Sequence, residues 1–165
     1  MQMNRVIAID PSKVLLWAAM QLHDARVVCF AVHTVPSMLD GFFRLWKSHG
    51  KQVVVYEDCY AHKNKRTYGD LYHTRERARE AAIKNGFQFE VCAPTKWQVP
   101  MLFLPGESSR AVKREQAKTR SMAVASAYMR YPVTSPDAAD AICLLLHRCS
   151  VPCTYAAIKK GSWDA

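Results

Sequence analysis

Asp137 and Asp140 stand three residues apart at the head of the most hydrophobic segment of the chain, SPDAADAICLLLHRC, residues 135–149. Residues at that separation share one face of a helix. Two further carboxylates follow apolar runs: Asp10 closes RVIAID, and Glu57 follows VVVY. Strands of an open α/β sheet release their C-terminal residues into a crevice where ligands bind. If the head of the helix meets those strand ends, four carboxylates converge. Carboxylates brought together repel one another and need protons or cations. Oxygen ligands without histidine or cysteine select Mg²⁺ or Mn²⁺. Two such ions about 4 Å apart stabilise both the attacking and the leaving oxygen of an in-line phosphodiester displacement.

Each acid also has a plainer explanation. An acid in the first turn of a helix complements the dipole by about 0.3–1 kcal/mol, and one acid suffices for that. The small Ala138, Ala139 and Ala141 around the pair let the helix approach another surface closely and leave the carboxylates unobstructed. For Asp10 and Glu57, each taken singly, the alternative is an ordinary strand-end turn.

The elements that must position these acids are legible as periodicities. Residues 5–10, 15–22 and 26–32 read as three antiparallel strands, with His23-Asp24-Ala25 as a tight turn between the second and third. Met38, Leu39, Phe42, Phe43, Leu45 and Trp46 recur at helical spacing across residues 37–49, before Gly50. Gln52 to Tyr56 is a β-branched run of the kind buried on both faces. In AHKNKRTYGDLYHTRERAREAAIKNG the second half reads as a helix; Phe87 to Cys92 is a strand and Pro94 to about Met101 a short helix. FLPGESS is a loop in which Ser108 or Ser109 could cap a long basic helix running to Tyr131. Ser135 as N-cap and Pro136 at the first helical position open the last helix, Asp137 to Cys149. The order predicts an α/β fold, one mixed five-stranded sheet with helices on both faces. Residues 1–150 form the domain; residues 151–165 read as a loosely held surface tail.

A chain of 165 residues, half of them hydrophobic, buries one core and is too short for two ordinary domains. Lys and Arg outnumber Asp and Glu by 23 to 14, a formal charge of +9 that attracts polyanions, nucleic acid first; a merely soluble basic protein would show the same totals. No run approaches the roughly 18 apolar residues of a membrane helix, so the expectation is a soluble, cytoplasmic protein with no membrane partner. The six cysteines are scattered through apolar segments and read as reduced core residues. Cys143, His147, Cys149 and Cys153 cluster but lack the C-x2-C knuckle usual in zinc sites.

At this point the chain resembles the RuvC-type Holliday junction resolvases of the ribonuclease H-like superfamily. The matching pieces are VIAIDPS, VVVYED, HTRERAREAAIKNG with FEVCAP after it, KREQAKTRSMAVASAYMRYP and SPDAADAICLLLHRC, in family order over nearly all of residues 5–149. The resemblance implies a ribonuclease H-like fold, with Asp10, Glu57, Asp137 and Asp140 as catalytic, metal-binding carboxylates. It implies two Mg²⁺ ions per site, Mn²⁺ substituting, bridged by Asp10 and activating a water, with no small-molecule cofactor. It implies a homodimer in a bacterial cell or phage-infected host, each subunit cutting one strand of a four-way DNA junction to leave 5'-phosphate and 3'-hydroxyl ends.

The same placement implies DNA contacts. Tyr60, three residues after the strand-end glutamate, occupies the position that enters the junction centre, where stacking on a base contributes about 1–3 kcal/mol; the alternative is a core aromatic. Lys96 and Lys118 correspond to basic residues near the DNA backbone. Around them Lys113, Arg114 and Arg120 thicken the patch, and Lys63, Lys65 and Arg66 form a second one suited to phosphates. A solvated helix face or loop would look similar. One departure is plain: Ser12 stands where the family has glycine after I-D-P. A broader branched-DNA or flap nuclease, or a ribonuclease H-like enzyme acting on hybrids, would use the same acids. A junction-binding protein without catalysis would keep only the basic surface.

Overall fold

The computed structural model describes residues 5–12, 14–22, 26–58, 65–108 and 110–163, with the backbone alone at Lys65. Five strands form one sheet: β1 (Arg5–Pro11), β2 (Leu15–Gln21), β3 (Val27–His33), β4 (Gln52–Glu57) and β5 (Gln88–Cys92), in the order β3-β2-β1-β4-β5. The first three are antiparallel neighbours, while β4 runs parallel to both β1 and β5. Among the described residues six helices follow or separate them: α1 (Pro36–Trp46), α2 (Lys65–Lys84), α3 (Pro94–Leu102), α4 (Arg114–Met129), α5 (Pro136–Arg148) and α6 (Tyr155–Lys160).

Alternation along the strands sorts side chains onto two cores. Ile7, Ile9, Leu16, Ala18, Met20, Val54 and Tyr56 point to one face, covered by Leu39 and Phe43 of α1 and by Ala78, Ala81 and Ala82 of α2. Ala8, Ala19, Val53 and Val55 point to the other, covered by α3, α4 and the apolar side of α5. The mixed sheet with helices on both faces is therefore as the periodicities predict. Where α5 lies, both surfaces are built from small residues: Ala8 and Ala19 on the sheet, Ala138, Ala139 and Ala141 on the helix, all buried. Methyl-sized side chains bring the head of α5 close to the strands.

Three boundaries differ from the sequence expectation. Helix α2 extends back to Lys65, because no proline interrupts residues 65–84 and only Gly69 weakens the helix. This places Arg66 in a first helical turn and not in a loop. Helix α4 starts at Arg114, not after Ser108 or Ser109: the Ser108 carbonyl is taken by a turn, accepting from the Ala111 amide at 3.0 Å. The helix is instead opened at Lys113, whose amide donates to Gln116 Oε1 at 3.0 Å, and it stops at Arg130 in the left-handed region, φ 58°. Residues 151–163 are not a loose extension. Cys153 is fully buried, Thr154 caps α6 by accepting from the Ala157 amide, and Trp163 stacks on Tyr128 of α4. The apolar residues of that segment find a groove beside α4 that local patterning could not reveal. Among the described residues no helix is long and apolar enough to cross a membrane.

Candidate active site

Asp10 and Glu57 reach the same side of the sheet by parity. Asp10 follows Ala8, and Glu57 follows Val55, so both side chains emerge on the face that α5 covers. Strands β1 and β4 are parallel neighbours with Ile9 opposite Tyr56, which sets the two acids side by side at the C-terminal ends of their strands. Helix α5 begins with Ser135, whose hydroxyl accepts from the Ala138 amide at 3.2 Å, and Pro136 follows in the first turn. That cap fixes the first turn, and with it Asp137 and, one turn on, Asp140.

The four carboxylates sense one another. Burial, above all, raises the Asp10 carboxyl well above its ordinary range, and the charges of Glu57, Asp140 and Asp137 add to it. Glu57 is pushed up to about 8, first by burial and then by the charge of Asp140, against a hydrogen bond from Trp97 that favours the ionised form. Asp140 is pushed up to about 6 by burial and the charge of Asp137, against a hydrogen bond from Ser121 and the charges of Lys118 and Arg114. Elements far apart in sequence thus gather like charges that solvation and cations would have to reconcile. Among the described residues no three His, Cys, Asp or Glu side chains already form a metal-holding group. The donors are nevertheless all carboxylate oxygens, those of Asp10, Glu57 and Asp140 with raised proton affinity, and hard oxygen donors of this kind are the type that Mg²⁺ or Mn²⁺ takes.

Of the basic residues, Lys118 lies where its charge lowers the proton affinity of both Asp10 and Asp140, and Arg114 does the same for Asp140. Lys113 and Arg114 are exposed at the start of α4, and Lys96 is exposed on α3. Arg120 is not part of that surface. Its side chain is buried, bonded twice to Glu107 and once to the Leu102 carbonyl, and its guanidinium lies over the Tyr155 ring. Glu107 is correspondingly held down to about 2 by that hydrogen bonding. Arg120 is a brace between the FLPGESS loop, α4 and α6. Arg66 is exposed at the start of α2. Tyr60 and Lys63 lie outside the described residues, as does the side chain of Lys65.

Two side chains at the acids carry no signal in a reading of charged residues. The Trp97 indole N–H donates to Glu57 Oε2 at 2.8 Å, and the Ser121 hydroxyl donates to Asp140 Oδ1. Helical spacing points to Ser121, since positions 114, 118 and 121 fall on one face of α4. Nothing local marks Trp97. Ser12, where the resemblance leads one to expect glycine, bridges the β1–β2 connection: its hydroxyl donates to the Leu15 carbonyl at 2.7 Å and accepts from the Leu15 amide at 3.2 Å. Among the described residues the non-glycine positions with left-handed backbone are Arg130 and Ser150, so Ser12 itself does not take a glycine conformation. The clustered cysteines behave as core residues: Cys143 and Cys153 are buried, and burial pushes both thiols up, Cys153 to about 11.

No family model matches the sequence, and no curated protein matches it. Among solved structures, Thermus thermophilus RuvC in complex with Holliday junction substrate superposes with a TM-score of 0.64 at 12% identity, covering 96% of this chain and 97% of that one. A second structure of Thermus thermophilus RuvC gives 0.61 at 10% identity, covering 95% and 96%. The chain shares the fold of those proteins over nearly its whole length.

Proposed function

We propose that this chain is a divalent-metal-dependent endodeoxyribonuclease that resolves four-way DNA junctions as a homodimer. The observation that carries the reading is the convergence of Asp10, Glu57, Asp137 and Asp140, from β1, β4 and α5, beside the charges of Lys118 and Arg114. The RuvC-like fold supports it, because one protein of that fold is held on a Holliday junction substrate. Asp10, Glu57, Asp137 and Asp140 would hold two Mg²⁺ or Mn²⁺ ions. Bound there, the ions would supply Lewis-acid stabilisation of the attacking and leaving oxygens.

The protein's own groups do the rest. The rigid seat of α5 on the sheet keeps the acids from spreading apart under their mutual repulsion. Lys118 and Arg114 offset part of the negative charge and attract the phosphate that the acids would otherwise repel. Lys96 and Lys113 extend the positive surface along the backbone of the DNA arms, with Lys63, Lys65 and Arg66 as a second contact and Tyr60 stacking at the junction centre.

The deciding experiment is nicking of a mobile four-way junction with and without Mg²⁺, read on both strands. Paired symmetric nicks that need Mg²⁺ support a dimeric resolvase, whereas equal rates on linear duplex, flaps or RNA–DNA hybrid refute junction specificity. Tight junction binding with no nicking under any divalent ion would leave a binding protein. Asp10→Asn should bind the junction as wild type does and not cut it; retained cleavage removes Asp10 from the mechanism.

A further inference from the structure

We propose that Trp97 and Ser121 are positioning residues, one hydrogen-bond donor to each of two acids, that hold Glu57 and Asp140 in the orientation in which they receive divalent cations. The proposal rests on the reading of those acids as metal ligands and extends it to two neutral residues that donate hydrogen bonds to them. An indole N–H is a donor with no acceptor. The Ser121 hydroxyl donates its proton to Asp140 Oδ1.

Both donors are anchored. Trp97 is fully buried on α3, in the cluster that holds Val55, Met101, Leu102 and Val124. From there its Nε1 reaches Glu57 Oε2 at 2.8 Å. Ser121 is fully buried on α4, where it also meets the Cys143 thiol of α5. The acids belong to other elements, Glu57 to β4 and Asp140 to α5, so each bond ties a helix to the element that presents the acid. Each engages one oxygen of its carboxylate, Oε2 or Oδ1, and thereby fixes the plane in which the other oxygen lies. A carboxylate free to rotate would lose that preference, and the cation would have to supply the ordering on binding. Removing such supporting bonds around metal ligands typically lowers metal affinity by about 10- to 100-fold.

Mn²⁺ alone is the probe, with free Mn²⁺ counted by electron paramagnetic resonance against the folded, DNA-free protein. Ser121→Ala should bind Mn²⁺ about 10- to 100-fold more weakly than wild type, and Ser121→Thr, which keeps the hydroxyl, should restore affinity. Trp97→Phe should weaken binding by a similar factor. Because that variant empties part of a tightly packed site, Trp97 is also read in the wild-type protein: its indole N–H resonance should move as Mg²⁺ is added, while that of Trp46, on the other face of the sheet, should not. Wild-type Mn²⁺ affinity in Ser121→Ala and Trp97→Phe overturns the proposal alone, as does an indole signal of Trp97 that stays still while Mn²⁺ binds. A wild-type protein that takes up no Mn²⁺ overturns the metal-site reading and this proposal with it.

Discussion

Replacing Asp140 by asparagine should make the metal-free protein more stable at pH 8 and remove most of what Mg²⁺ adds to it. Burial first, and then the charge of Asp137, hold the Asp140 carboxyl at about 6 against an ordinary 3.8. An acid whose pKa is raised by folding contributes its stability fully below the unfolded value and loses it as pH climbs through the folded value. For Asp140 that window runs from 3.8 to about 6. At about 1.4 kcal/mol per pH unit the loss is about 3 kcal/mol, or about 2 kcal/mol once solvent around this partly exposed group is allowed for. Asparagine does not ionise, still accepts from Ser121, and relieves Glu57 and Asp10, both of which the Asp140 charge raises. In a chain of this length about 2 kcal/mol is a rise in Tm of roughly 4–8 °C. Thermal unfolding in chelator should show that gain at pH 8 and almost none at pH 4. Saturating Mg²⁺ should reverse the order, because ligand at a hundredfold excess over Kd stabilises wild type by about 2.7 kcal/mol and the neutral side chain forfeits most of it. Asp140→Asn melting below wild type in chelator at pH 8 refutes the argument that these acids are held together against their own repulsion.

Lys118→Ala should weaken junction binding and reduce the slope of log K against log salt by about one, measured by fluorescence anisotropy over a salt series; an unchanged slope removes Lys118 from the DNA surface. Arg120→Ala should lower Tm by several degrees through loss of its bonds to Glu107 and Leu102, yet leave the junction affinity of the folded protein unchanged. Ser135→Ala deletes the cap of α5 and should destabilise the protein by about 1 kcal/mol in urea unfolding, with cleavage falling further than stability if the cap also aims Asp137.

Much of this protein was legible in one dimension. The apolar runs RVIAID and QVVVY marked both strands and the acids at their ends, and the parity of extended backbone then puts Asp10 and Glu57 on one side of the sheet once β1 and β4 pair. Ser135, Pro136 and the alanines determined where α5 starts and how closely it can lie, since caps and side-chain size act within a turn. The boundaries that were missed, at Lys65, Lys113 and the α6 segment, depend on turns or on apolar contacts made across the fold. The tertiary structure alone decided what the longer polar side chains meet. Arg120 looks like its basic neighbours on α4 until Glu107 and Tyr155 are folded against it. Trp97 looks like one more core aromatic until β4 brings Glu57 to its indole. Periodicity specifies the face on which a residue stands, but the partner it finds there comes from a distant element and exists only after the sheet and helices have packed.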